Sequence, residues 1–199
     1  MSVAKKAKEK VEKAWTTTKK IFVLSCLWGL CFSLVTITSL GVAFDYDDVL
    51  VNSSAAYSKA LTSTQQAFSP DFWAVVNQSY DLEKPKLIMY PLAWIFRVFG
   101  FKVTILTARP AVESDALKKE WRHLVSRGNF IFGSTGETRH AHLAAGNYVL
   151  FFGDSDTDIQ EARKARVYPV RVKRNPKSFH KDDYHPGTLG EVVIPLSEY

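Results

Sequence analysis

The chain of 199 residues has only two cysteines, Cys26 and Cys31. Both fall in one apolar stretch, where thiols act as small packing groups rather than as a disulfide or a metal pair. The remainder has no cysteine, which excludes a disulfide framework there and leaves its redox compartment unmarked. Charge is missing altogether from residues 21–44. Internal repeats and low-complexity tracts are missing too, which excludes a repeat array. Net charge is nearly missing from the body of the chain. Of the formal +6, five charges belong to residues 1–20, with seven lysines and two glutamates, so residues 21–199 carry +1. The basic character is therefore a property of the tail and not of a folded face, and a nucleic-acid partner is not expected.

The tail leads into the uncharged run IFVLSCLWGLCFSLVTITSL over residues 21–40. A bilayer-crossing helix needs about 20 apolar residues. The lysines just before it keep the N-terminus on the cytoplasmic side, with the rest of the chain beyond the membrane. A long basic segment and no A-x-A-like site favour an uncleaved signal-anchor over a cleaved signal peptide. A buried core helix is the plainer alternative. The expected organisation is a basic tail over 1–20, a transmembrane or signal segment over 21–40 and one α/β domain over 41–199. Almost no linker separates the second from the third.

After residue 40, short β-branched apolar runs alternate with helical patterns, which predicts a Rossmann-like parallel sheet with helices on both faces. The spacing predicts strands over 41–45, 102–107, 129–132, 148–153 and 167–172, and a short one over 192–194. It predicts helices over 87–99, ending at Gly100, after Pro110 through Leu117, Trp121 and Leu124, and after Asp156. Residues 175–187 are polar and read as a long loop, a common home for function.

Ligands of open parallel sheets bind outside the carboxyl ends of the strands. The first strand ends in Asp45-Tyr46-Asp47-Asp48. Three carboxylates within four residues repel one another unless a cation sits among them, and hard cations such as Mg²⁺ take oxygen ligands. Alone, that run is equally an acidic turn or a helix cap. A second acidic run, Asp154-Ser155-Asp156-Thr157-Asp158, closes the strand over 148–153. Two such runs at two strand ends point to one shared metal site. The strand between them in the pattern ends in Thr107-Ala108-Arg109, a hydroxyl and a guanidinium suited to phosphate oxygens.

These features together resemble the haloacid dehalogenase superfamily of phosphohydrolases. Its first motif, an apolar strand then D-x-D-x-[T/V], matches Val42 to Val49, and its second, a strand ending in Ser or Thr, matches Thr107. The acidic fourth motif matches Gly153 to Asp158. Within the superfamily the chain is most similar to class B acid phosphatases, through FDYDDVL (44–50), PDFW (70–73), GDSDTDI (153–159) and LGEVVIPLSEY (189–199). The third motif is a Lys in that class, and the matching position here, fifteen residues before Asp154, is Arg139. The charge is kept, but the planar guanidinium is not a geometric equivalent of an ammonium.

The resemblance implies an α/β fold with a minimal cap and Mg²⁺-dependent hydrolysis of small phosphomonoesters, nucleotides among them. Asp45 would take up the phosphoryl group, and Asp47 would protonate the leaving alcohol and then activate water. Thr107 and Arg139 complete the catalytic set. Asp45, the Asp47 carbonyl, Asp154 and Asp158 are the expected metal ligands. Phe72 and Trp73 could line a slot for a base or aryl group, with Phe179 or Tyr184 closing it and Arg109 meeting phosphate. An oligomer and an acidic optimum follow from the same resemblance, whereas a membrane-anchored or secreted protein with its catalytic domain in the periplasm or outside the cell is what the basic tail and apolar run imply. Phosphotransfer to an alcohol and a non-catalytic membrane-anchored scaffold are the competing readings.

Overall fold

The computed structural model describes residues 3–199, with side chains described except at 3–11, 14 and 34–39. The chain divides into two compact units between Thr38 and Ser39. The first consists of the helix α1 (Val3–Ser39), short of the last residue of that helix, in which the lysine-rich tail and the uncharged run are continuous. Part of the span expected over 21–40 lies outside the described residues. Among the described residues no helix is long and apolar enough to cross a membrane.

In the second unit six parallel strands form one sheet. They are β1 (Gly41–Asp45), β4 (Lys102–Leu106), β5 (Phe130–Ile131), β6 (Tyr148–Gly153), β7 (Tyr168–Arg171) and β8 (Val192–Val193). Their order is β5-β4-β1-β6-β7-β8. β1 is central and buried along its whole length, as an uninterrupted apolar run requires of a parallel strand covered on both faces. On one face Phe44 stacks on Phe152, with ring centroids 4.6 Å apart. That face is covered by α4 (Met89–Val98) and the turn after β4, through Met89, Leu117 and Trp121. On the other, Ala43 and Phe151 meet Leu143 of α6 (Gly136–Ala145) and Ala162 of α7 (Asp156–Lys164).

Between β1 and α4 the chain forms a two-stranded antiparallel pair, β2 (Val51–Asn52) with β3 (Lys84–Pro85), and two helices, α2 (Ser54–Ser63) and α3 (Pro70–Gln78). Ser69 caps α3 by accepting the Phe72 N–H, and Pro70 takes the first helical position. Tyr57, Ala60, Phe72 and Val76 bury a small apolar cluster of their own between the two helices. The helix expected after Pro110 is split: α5 (Asp115–Glu120) gives way to a 3₁₀ turn over Trp121–His123. Leu117, Trp121 and Leu124 are nevertheless all buried, so the apolar spacing survives the change of helix type. Residues 175–187 contain no helix or strand.

Register fixes where the chemistry lies. Asp45 sits opposite Leu106, and Phe44 opposite both Ile105 and Phe152. The residues after each strand, the Asp45 run, Thr107 and the Asp154 run, therefore emerge side by side at the carboxyl edge of the sheet.

Candidate active site

The first acidic run is a tight turn closed on one acceptor, because the N–H groups of Leu50 and Val51 both bind the Tyr46 carbonyl, at 3.0 and 3.3 Å. Asp48 takes the left-handed conformation (φ 57°), which Asp tolerates better than most residues. The turn sends its three carboxylates to three destinations: Asp45 into the acidic cluster, Asp47 toward β4, and Asp48 back to the Ser178 hydroxyl, which donates to it.

One carboxylate oxygen from each of Asp45, Asp154 and Asp158 lies within 4.8 Å of the others, and all three residues are buried. Burial, with the charges of Asp154 and Asp47, pushes the Asp45 carboxyl up to about 7 against the opposing pull of Arg139. This donor set of crowded, desolvated oxygens fits a hard divalent cation. Arg139 reaches in from α6. It donates to Asp45 Oδ1 at 3.3 Å and to the Ser134 carbonyl at 2.8 Å, and it pairs with Asp158. Asp158 is also structural. It accepts the Asp154 and Ser155 N–H groups while Ser155 Oγ accepts its own, a reciprocal cap that opens α7. Gly153 makes room for it, since a Cβ there would lie 2.5 Å from Asp158 Cβ.

Asp47 is gripped from the side. Arg109 Nε donates to Oδ2 at 2.9 Å and Nη2 to Oδ1 at 2.5 Å, and Thr107 Oγ1 lies 3.5 Å from Oδ2. Burial raises the Asp47 pKa, but the charge and hydrogen bonds of Arg109 outweigh it and hold the carboxyl below its ordinary value. Arg109 in turn donates to Glu83 at 2.6 Å. Glu83 accepts from the Tyr46 hydroxyl, which accepts from Trp121 Nε1 at 3.0 Å.

The open space beside these groups is a cleft of about 170 Å³, lined by Asp45, Asp47, Arg139, Asp154 and Asp158, with Tyr57, Trp73, Arg174 and His180 forming its outer wall. Phe179 stacks on Tyr57 at 5.2 Å and the His180 ring meets Tyr57 edge-on at 5.1 Å, so the 175–187 loop and α2 build that wall together. Of the residues singled out from sequence, Asp45, Asp47, Trp73, Arg139, Asp154 and Asp158 converge on the cleft. Thr107 lies buried behind Asp47. Four others sit elsewhere, Phe179 among them, stacked on Tyr57 outside the cleft lining. Phe72 is fully buried between α2 and α3, Arg109 is fully buried beneath Asp47, and Tyr184 lies under the Arg174 guanidinium, 4.8 Å away. Tyr57, Glu83, Arg174 and His180 escaped the sequence reading. Only the polar loop composition around His180 pointed toward any of them.

No family model matches the chain. Among curated proteins it is similar to the class B acid phosphatase of Klebsiella pneumoniae (strain 342), with 30% identity over 185 residues, covering 84% of this chain and 76% of that one. The class B acid phosphatase of Edwardsiella ictaluri (strain 93-146) is 31% identical over 179 residues, covering 80% and 73%. Among solved structures, CbbY from Rhodobacter sphaeroides in complex with phosphate superposes with a TM-score of 0.54 at 12% identity, covering 78% of this chain and 93% of that one, a likeness of fold alone.

Proposed function

The chain belongs to the class B acid phosphatases of the haloacid dehalogenase superfamily and is a phosphoric monoester hydrolase, and on that premise we propose that Asp45 is its nucleophile and Mg²⁺ its cofactor. The observation that carries the reading is the division of labour within one turn: Asp45 lies in the acidic cluster while Asp47, two residues on, faces the same cleft from the grip of Arg109.

An Asp45 carboxylate oxygen attacks phosphorus as the bond from phosphorus to the leaving oxygen breaks, and the leaving oxygen takes its proton from the fraction of Asp47 that is protonated, a fraction Arg109 keeps small and acid pH enlarges. Water then attacks the aspartyl-phosphate, Asp47 takes a proton from it, and the bond to Asp45 breaks to release phosphate. Mg²⁺ held by Asp45, the Asp47 carbonyl and Asp154 would supply the positive charge that lets a carboxylate approach a phosphate dianion. Arg139 adds a fixed cation on the Asp45 side, and Thr107 steadies Asp47. Tyr57, Trp73 and His180, with Phe179 stacked on Tyr57, offer an aromatic wall to the leaving group, which suits aryl and nucleoside phosphates. Residues 21–40 hold the protein in a membrane with the phosphatase domain outside the cytoplasm, a reading supported by the absence of charge from that run and by the exposure of Phe22, Trp28 and Phe32 on α1.

The test is Asp45→Asn. Hydrolysis of p-nitrophenyl phosphate by the wild type should require Mg²⁺, and the variant should lose at least ~10³-fold in kcat. Activity retained in Asp45→Asn would move the nucleophile elsewhere.

A further inference from the structure

Among the described residues the 175–187 loop is tied to both acidic runs, and also to α2 and to Glu191 and Glu198 near the C-terminus. Ser178 Oγ donates to Asp48, and Ser54 Oγ to the Lys177 carbonyl at 2.8 Å. On the other side the N–H groups of Asp156 and Thr157 bind the Asp183 carbonyl and carboxylate at 2.9 and 3.0 Å, and the His185 N–H binds Asp156 at 3.1 Å. One residue engages both a cluster carboxylate and the loop backbone. Arg174 directs Nε to Asp154 Oδ2 and Nη1 to the Asp182 carbonyl at 2.6 Å, with the His180 carbonyl at 3.5 Å. Its own N–H donates to the Tyr184 hydroxyl at 3.1 Å, and the Tyr184 ring lies against its guanidinium. Both side chains of the Arg174–Asp154 pair are 7% exposed.

We infer that Arg174 is a positioning residue that couples cation occupancy of the Asp45–Asp154–Asp158 cluster to the order of the loop carrying Phe179 and His180. The inference rests on the reading of that cluster as a metal site. A carboxylate offers two oxygens, and Arg174 takes only Oδ2 of Asp154. Fixing one oxygen sets the plane of the other, which is how partners behind a metal ligand raise affinity. Because the guanidinium is planar and rigid, a shift of the Asp154 carboxylate is passed to the carbonyls of residues 180 and 182. The wall of the cleft is then completed when the cation is in place.

The experiment uses the full chain in detergent, with Mg²⁺ alone as the probe. Calorimetry gives the Mg²⁺ dissociation constant, and hydrogen exchange follows the amides of residues 176–185 with and without saturating Mg²⁺. In the wild type Mg²⁺ should slow loop exchange several-fold. In Arg174→Gln the dissociation constant should rise ~10- to 100-fold, and the protection should vanish even at saturation. Tyr184→Phe, which removes only a loop-side contact, should reduce the protection while shifting the dissociation constant less than ~3-fold, and it serves if Arg174→Gln does not fold. Mg²⁺ binding that leaves wild-type loop exchange unchanged overturns the coupling, as does tighter binding by Arg174→Gln, which would make Arg174 a competitor for Asp154. Absence of Mg²⁺ binding to the wild type overturns the metal site itself.

Discussion

Arg109 has its guanidinium committed on two sides, with Nε and Nη2 on Asp47 and Nη2 also on Glu83, and it is inaccessible to solvent. A guanidinium so placed acts on Asp47, the proposed general acid/base, and not on the substrate phosphate. Arg109→Lys keeps the charge but loses the paired hydrogen bonds. In steady-state hydrolysis of p-nitrophenyl phosphate it should lower kcat ~10-fold or more with KM within ~2-fold of wild type. A raised KM at unchanged kcat would instead assign Arg109 to the phosphate. The sequence marked this arginine as functional because it follows a strand end, but depth below the surface has no signature in one dimension. Phe72 and Trp73 show the same limit. Adjacent residues on a helix point about 100° apart, so one enters the α2–α3 cluster and the other the cleft. Which does which depends on α3, a nine-residue helix too short to announce its face by periodicity. Arg174 and His180 belong to no motif, and only the folded loop brings them to the acidic runs.

Strands were the most legible elements. β1 and β6 match their expected bounds, and β4, β5, β7 and β8 differ by one residue at one or both ends, where pairing partners run out, whereas the two-residue β2 and β3 were not expected at all. α4 was legible from its apolar spacing, although it fully buries only Met89 and Ala93, packs Leu92, Trp94 and Phe96 partly against the core, and leaves Ile95 exposed. α6 was not, because among its described residues it buries only Arg139 and Leu143, and a helix that faces the core with one leucine and one charged group leaves no apolar period. α1 has the opposite character, with Phe22, Leu24, Leu27, Trp28 and Phe32 all exposed and spread around the helix. A helix apolar on every side is stable only when covered by protein or lipid. Alkaline carbonate washing of membranes from cells making the full chain should leave the phosphatase in the pellet, whereas a chain with residues 21–40 deleted should move to the supernatant. Release of the full chain by that wash would set the membrane reading aside in favour of a protein partner for α1.

At the scale of the whole domain, the carboxyl edge concentrates buried acids that the fold holds apart from water, and the acid–base balance of stability follows from them. Burial raises Asp45, and burial with Asp154 raises Asp48, each from 3.8 to about 7. Between pH 4 and 7 the unfolded chain has released these protons while the metal-free folded chain retains them. The folded state then binds more protons, so stability falls as pH rises through that window. Asp156 and Glu191 act in the opposite sense. Burial would raise both, but hydrogen bonds from His185 to Asp156 and from Gly187 to Glu191, with Arg171 on each, hold their carboxyls below the ordinary values of 3.8 and 4.5. Their contribution is complete above those values and is lost as pH falls beneath them. The metal-free protein should therefore be most stable on the acid side of neutrality, where the second pair is ionised and the first still protonated. Mg²⁺ favours the ionised form of Asp45 and removes part of the penalty, so the stabilisation it brings should grow from pH 5 to pH 7. Urea midpoints at those two pH values, with and without Mg²⁺, measure both slopes. A metal-free midpoint that rises from pH 5 to 7 would mean that Arg139, and not burial, governs the charge on Asp45.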